Sequence, residues 1–196
     1  MDIRICFVGD SFVNGTGDET ALGWAGRLCA SASATGVTLT YYNLGVRRDT
    51  SRDILLRWEK ECAHRLPDFC DGRIVISCGV NDTAVENGVE RVAQDASINN
   101  VREILRGAAK YPALMVGPPP VADAAHNSRL SKLSAAFLNE TRALGIPYID
   151  LLSPLMNDND YLRDIAAGDG AHPRAAGYAK MASIISASKA WWFCAA

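Results

Sequence analysis

Arg4-Ile5-Cys6-Phe7-Val8 runs directly into Gly9-Asp10-Ser11. The first five residues are rich in β-favouring apolar side chains and read as a buried strand, and Gly9 lets the backbone turn sharply at its end. Ser11 then stands at the carboxyl end of that strand. In open α/β sheets ligands bind beyond this edge, which makes Ser11 a candidate nucleophile in need of a base.

Outward from this strand the chain repeats one unit. Apolar, strand-like runs recur at residues 38–44, 72–78, 113–116 and 146–151, with helical patterns between them. Thr20 is the expected cap of a helix over 20–34, with Leu22, Ala25, Leu28 and Cys29 on one face. Thr50 and Asp53 have capping-box spacing ahead of Ile54, Leu55 and Trp58. Further helices are expected over about 89–109, over about 128–143, and from Pro173 through Tyr178, Met181, Ile184 and Ile185. Five strands alternating with helices predict an α/β fold, a parallel sheet covered on both faces with right-handed crossovers.

The connections carry their own signals. The Gly-rich stretch 12–19 lacks both a Walker lysine and G-x-G-x-x-G spacing, so it reads as a flexible loop beside a site rather than a phosphate cradle. Pro118-Pro119-Pro120 cannot continue a helix or a central strand and read as a stiff wall at the Ser11 end of the sheet. Residues 157–170 are polar with few core side chains and read as a surface excursion bordering a cleft. Trp191-Trp192-Phe193 read as core or interface packing.

A chain of 196 residues has room for one domain, residues 1–196, with a substantial core. Its 48% hydrophobic and 21% charged content is that of a globular protein, not a disordered or fibrous one. Twenty basic against 22 acidic residues, net −2, leave no basic field for phosphate backbones, so nucleic acid is not an expected partner. Met1-Asp2-Ile3-Arg4 lacks the pattern of a secretory signal, and no apolar run approaches the ~18 residues of a membrane span, so a cytoplasmic location is expected. The six cysteines contain no C-x-x-C pair, which predicts free thiols, a reducing compartment and no zinc or other metal. Acyl specificity and oligomeric state are not written in these patterns, a homo-oligomer included.

A serine nucleophile needs a general base and a group that orients it. Of the three histidines, His64 falls at a helix end among charged residues, and His126 falls in the loop after the prolines, where it reads as surface with substrate contact as the alternative. His172 has Asp169 three residues before it in Asp169-Gly170-Ala171-His172-Pro173. One tight turn through Gly170 brings the carboxylate beneath Nδ1 and leaves Nε2 pointing elsewhere, while a capping Asp and an unrelated His before a Pro-started helix is the other reading. A helix amino end disfavours imidazolium by ~0.3–1 kcal/mol, less than a nearby carboxylate favours it in a partly dry site. Asn81 can offer a side-chain N–H above Ser11 for a developing oxyanion, or can be an ordinary turn residue, and the loop Gly45-Val46-Arg47-Arg48-Asp49 can offer a backbone N–H.

Together these stretches resemble the SGNH hydrolases, the GDSL family of esterases and lipases. Gly9-Asp10-Ser11 resembles its first block, Gly79-Val80-Asn81-Asp82 its G-x-N-D block, and Asp169-Gly170-Ala171-His172 its D-x-x-H block, in the family's order and over most of the chain. The resemblance implies a flavodoxin-like three-layer α/β/α sandwich with strand order 2-1-3-4-5 and hydrolysis of small or medium acyl esters without a cofactor. It implies Ser11 as nucleophile, His172 as base and Asp169 as orienter, with oxyanion donors from the Ser11 N–H, the Asn81 side chain and a backbone N–H at Arg48. Similar chains carry Gly where this one has Arg48, and a positive φ there costs an arginine energy that glycine avoids. Arg47 and Arg48 are candidate cleft cations for an anionic substrate, with solvent exposure as the alternative, and Asn14 and Pro119 are further candidate substrate contacts. A carbohydrate O-acetylesterase is the narrower enzymatic alternative. A non-catalytic module binding nucleotide or protein through residues 14–18 is the rival from another class.

Overall fold

Side-chain alternation along the first strand divides the interior into two layers. Ile5 and Phe7 of β1 (Ile3–Gly9) face one apolar cluster and Cys6 and Val8 face the other, all four fully buried. A strand covered on both faces reads as a continuous apolar run, and only a central strand of a parallel sheet meets that condition. The computed structural model describes residues 2–194.

After β1 come α1 (Ser11–Asn14), α2 (Gly23–Ala34), β2 (Leu39–Gly45), α3 (Ser51–Ala63) and β3 (Asp71–Ser77). A two-stranded hairpin, β4 (Val85–Glu86) and β5 (Val89–Glu90), leads to α4 (Gln94–Ala108) and β6 (Ala113–Val116). The chain continues through α5 (Ala124–Leu144), β7 (Tyr148–Ile149), α6 (Leu152–Met156), α7 (Asn159–Ala166) and α8 (Ala175–Ser186). The main sheet has the order β2-β1-β3-β6-β7 with every pairing parallel, which is 2-1-3-4-5 when its five strands alone are counted.

On one face, Trp24 and Leu28 of α2, Tyr161 and Ile165 of α7 and Tyr178 and Met181 of α8 pack on Phe7, Val75 and Leu114. On the other, Ile54 and Trp58 of α3, Val101 and Ile104 of α4 and Phe137 of α5 pack on Val8, Ile76 and Met115. The three-layer sandwich follows from these two stripes. Trp191 joins the first cluster, 2% exposed and tilted against Phe7 at 6.4 Å between ring centroids, so this part of the aromatic run is core.

Several boundaries differ from the sequence pattern, each for a local reason. Helix α2 begins at Gly23, because Thr20 donates both its N–H and its hydroxyl to Asp18 Oδ1 instead of capping. Asp18 also accepts from the Gly23 N–H and pairs with Arg27, so the loop 12–19 is pinned by a buried carboxylate. The expected start of α4 near residue 89 is occupied by the hairpin, whose turn places Asn87 at φ 53° and Gly88 at φ 81°. Asp123 accepts the His126 N–H and starts α5 four residues earlier than the pattern suggests. The polar stretch 157–170 contains α7, whose Tyr161 is fully buried with its hydroxyl donating to the Pro120 carbonyl at 3.1 Å. Helix α8 starts at Ala175 rather than at Pro173. The capping box of Thr50 and Asp53 is formed as the spacing predicts.

Where β1 passes between β2 and β3, no side chain fits at its last residue. A Cβ on Gly9 would overlap the Ser77 carbonyl oxygen and lie 2.5 Å from Val13 Cγ2. Gly9→Ala is expected to cost about 3 kcal/mol, the upper part of the range for overpacking, because a backbone oxygen cannot rotate away. Urea unfolding would read this as a lower midpoint at unchanged slope, and a shift below ~0.5 kcal/mol would contradict the close approach.

Candidate active site

The first three strands of the sheet, the edge strand β2 with β1 and β3, end level. Gly9 is in register with Gly45 on one side and with Ser77 on the other, so the loops that follow β1, β2 and β3 meet at a single edge. They are tied to one another by hydrogen bonds. The Gly9 carbonyl accepts from the Val46 N–H at 3.0 Å and from Arg57 Nη2 at 2.9 Å. Asn81 Nδ2 donates to the Asp49 carbonyl at 2.9 Å, and the Ser51 N–H donates to Asp82 Oδ1 at 2.7 Å.

Ser11 opens α1, with Asp10 before it as the N-cap whose Oδ1 accepts the Phe12 N–H at 2.9 Å. Its hydroxyl lies 2.7 Å from His172 Nε2, across 161 residues of chain. His172 Nδ1 lies 2.7 Å from Asp169 Oδ2, while Asp169 Oδ1 accepts the N–H groups of Ala171 and His172 at 3.0 and 2.8 Å. Gly170 takes φ 79° inside that turn. Phe12 supports the imidazole from one side, its ring centroid 5.0 Å from that of His172. Partial burial acts to raise the Asp169 carboxyl, but the His172 side chain and the two backbone N–H groups outweigh it and hold the carboxyl at about 2. Such a relay can move a proton from the serine hydroxyl to the imidazole while the carboxylate stays ionised.

Above Ser11 lies a cleft of about 290 Å³. Asn81 lines it, and because one hydrogen of its amide is committed to the Asp49 carbonyl, the second remains for a ligand. A larger, shallower depression of about 780 Å³ along α7 is lined by Asn157, Asp158, Asn159 and Asp160 with no Ser, Cys or His. Nucleophile chemistry has no starting group there. Among the described residues no three His, Cys, Asp or Glu side chains are gathered as a metal site, and no helix is long and apolar enough to cross a membrane.

The remaining sequence candidates fall at the margin. Arg48 adopts φ 71°, the left-handed conformation that an arginine pays for, and its guanidinium turns outward to Glu86 at 2.8 Å. Arg47 is exposed and does not line the cleft, and neither does the Arg48 side chain. Among the described residues, the charged ones lining the cleft are Asp123 and Asp169, with no Lys or Arg among them, and Arg47 and Arg48 take the solvent-exposed alternative. Asn14 is exposed beside Thr16 and the Gly45 carbonyl, and Pro119 is buried behind the wall. Neither lines the cleft, where Val121 stands instead. His64 is exposed at the end of α3.

His126, read from the sequence as a surface-loop residue with substrate contact as the alternative, lies in the first turn of α5, half-buried in the cleft wall. An Asp three residues ahead, at a helix start, was the signal for that position.

Residues 7–180 match the GDSL-like Lipase/Acylhydrolase family, and the chain belongs to that family. No curated protein sequence matches the chain. Among solved structures, a lipase/acylhydrolase from Enterococcus faecalis superposes with a TM-score of 0.78 at 22% identity, covering 93% of each chain. The acetylxylan esterase Axe2 from Geobacillus stearothermophilus superposes with a TM-score of 0.77 at 18% identity, covering 93% of this chain and 91% of the other. LAE5, an α/β hydrolase enzyme from the metagenome of Lake Arreo, Spain, gives 0.79 at 18% identity over 95% of each chain. At these identities the likeness is one of fold.

Beneath the nucleophile, Asp10 is 1% exposed and its Oδ2 has no partner among the described residues. Burial pushes its carboxyl up to about 7, the Phe12 N–H opposes this, and the nearby Asp82 and Asp49 add to it. The unfolded chain ionises Asp10 near its ordinary value of about 3.9. The stability contributed by the protonated carboxyl is therefore complete below pH ~4 and is lost as pH rises to about 7. Asp10→Asn keeps the acceptor for Phe12 and is expected to gain on the unsubstituted protein between pH 4 and 7. Thermal unfolding at both ends reads the difference, and a pH-independent gap would show that Asp10 is ionised throughout.

Proposed function

We propose that this GDSL-like acylhydrolase is a serine esterase acting on small or medium acyl esters through a covalent acyl-enzyme, with Ser11 as nucleophile, His172 as general base and acid, and Asp169 as the group that orients the imidazole. The observation that carries this reading is the unbroken relay from Asp169 Oδ2 through His172 to Ser11 Oγ, with both side-chain contacts at 2.7 Å. We place the whole activity in one catalytic domain over residues 1–196.

In the first half-reaction Ser11 Oγ attacks the acyl carbon and its proton passes to His172 Nε2. The imidazolium so formed shares its Nδ1 proton with Asp169, which stays ionised, consistent with a carboxyl held at about 2. The tetrahedral oxyanion takes hydrogen bonds from the Ser11 N–H, the uncommitted amide hydrogen of Asn81 and a backbone N–H at Arg48. His172 returns the proton to the departing alcohol, and a water then repeats the sequence on the acyl-enzyme. The left-handed backbone of Arg48 supports its place in this set, because that conformation persists at a cost to the chain.

A narrower reading, a carbohydrate O-acetylesterase, is favoured by the acceptor-rich cleft of about 290 Å³ and by the fold likeness to an acetylxylan esterase. Faster turnover of acetylated sugars than of butyryl and longer esters would select it.

Hydrolysis of p-nitrophenyl esters by the intact protein, with kcat lowered at least ~1,000-fold in Ser11→Ala and in His172→Ala, is the expected outcome. Equal rates in the intact protein and Ser11→Ala would remove the assignment, and absence of covalent labelling by a fluorophosphonate would favour a non-catalytic module. Asn81→Ala is expected to lower kcat by ~100-fold while leaving labelling detectable.

A further inference from the structure

The esterase reading leaves two ionisable side chains of the cleft, His126 and Asp123, without a catalytic task. His126 shares the cleft with Ser11, Asn81 and His172, and its Nε2 lies 3.0 Å from the Val80 carbonyl and 3.0 Å from Thr83 Oγ1. A carbonyl oxygen can only accept, so the ring nitrogen facing it carries the hydrogen. Thr83 Oγ1 has the Gly79 and Val80 carbonyls at 3.3 Å as acceptors for its own hydrogen, which leaves its lone pairs towards the ring.

Burial favours the neutral imidazole, as does Arg129, whose Nε donates to the Thr83 carbonyl at 2.9 Å, while the Val80 carbonyl, Asp123 and Glu90 pull the other way. The balance falls to the neutral ring. With the hydrogen on Nε2, Nδ1 is a bare acceptor, and among the described residues no donor meets it. Asp123, on the same wall, is held below the usual carboxylate range by the His126 N–H and is a second acceptor.

We propose that His126 is a specificity-determining residue that accepts a hydrogen bond from a hydroxyl of the bound ester, so that the enzyme prefers hydroxylated esters to alkyl esters of the same size. The inference rests on the esterase reading above and names the substrate class for that site. The pair of acceptors at His126 Nδ1 and Asp123 discriminates strongly, because a substrate lacking the hydroxyl strips them of water and returns nothing. It also turns away anionic groups, since Asp123 and Asp169 are the charged lining.

Two matched pairs test this. Glycerol monobutyrate against butyl butyrate varies the alcohol, and ethyl 3-hydroxybutyrate against ethyl butyrate varies the acyl group. The intact protein is expected to favour the hydroxylated member of at least one pair. His126→Phe, which keeps an aromatic ring but removes the acceptor, is expected to lower the hydroxylated-to-alkyl ratio of kcat/KM about tenfold in that pair, chiefly through KM. His126→Gln, which keeps both a donor for Val80 and an acceptor, is expected to retain most of the ratio and serves as the readout if the Phe variant does not fold.

Equal losses on both members would leave the ratio unchanged and overturn the proposal in favour of a role in holding the Val80–Asn81 turn. Fluorophosphonate labelling of Ser11 separates the two levels. Labelling with an unchanged ratio overturns only the His126 assignment, whereas an unlabelled intact protein overturns the esterase reading and this inference with it.

Discussion

The site depends on the carbonyl of Gly9. At that point the central strand ends, and the same oxygen takes the Val46 N–H from the β2 loop and Arg57 Nη2 from α3. Arg57 in turn holds Asp49 at 2.6 Å and Glu61 at 2.8 Å, and the Asp49 carbonyl takes the Asn81 amide. Three loops that are distant in sequence thus share one hydrogen-bonded joint, with Ser11 two residues beyond its centre. Charge-assisted bonds of this kind are each worth about 1.5–3 kcal/mol when partly shielded from water, which suits a framework that must hold its donors in fixed directions. The missing side chain at Gly9 is what lets the end of β1 lie against the Ser77 carbonyl and Val13.

Onto that joint the C-terminal part of the chain delivers His172. Its turn is short and self-contained, since Asp169 ties both the ring and the backbone of the histidine. The larger positioning comes from packing: Tyr161 and Ile165 of α7 and Tyr178 of α8 are buried in the same cluster as Phe7, and the Tyr178 hydroxyl donates to the Thr16 carbonyl at 2.8 Å. The nucleophile loop and the histidine loop therefore rest on one apolar layer. The price of this compactness is electrostatic, with Asp10 and Asp82 both buried and each leaving one oxygen unpartnered among the described residues. Burial raises both carboxyls, so the ground beneath the nucleophile carries less negative charge than the sequence suggests.

The sheet was legible because four of its five strands carry an apolar run, β2 alternating Leu and Tyr with Thr40 and Asn43, and the three longest are set off by Gly, Asn or Asp. Residues 4–8 and 74–78 are too short for a buried helix, are rich in β-branched residues and end at Gly9 and Gly79, which reads as strand. Less legible were the elements whose start is set by a single polar side chain with more than one possible partner. Thr20 has the residue type of a cap, yet Asp18 captures it, and Asp123 starts α5 through a bond to an N–H in a stretch of alanines that has no periodicity to announce a helix. Tyr161 and Ile165 were hidden among Asn and Asp for the opposite reason, since two buried side chains in fourteen residues do not make a visible stripe.

The candidate chemistry divides along the same line. By itself the sequence determined the groups available and the short-range geometry: a serine after a strand-ending glycine, and a histidine whose carboxylate partner is close enough in the chain to be joined by one turn. Tertiary structure alone decided what those groups face. It brought Ser11 to His172 across 161 residues, turned Arg48 outward to Glu86, and moved His126 from an expected surface loop into the cleft wall. The physical reason is that local bonds are written in spacing, whereas the direction of a side chain across a cleft is set by the packing of helices on opposite faces of the sheet and by the level at which three strands happen to end.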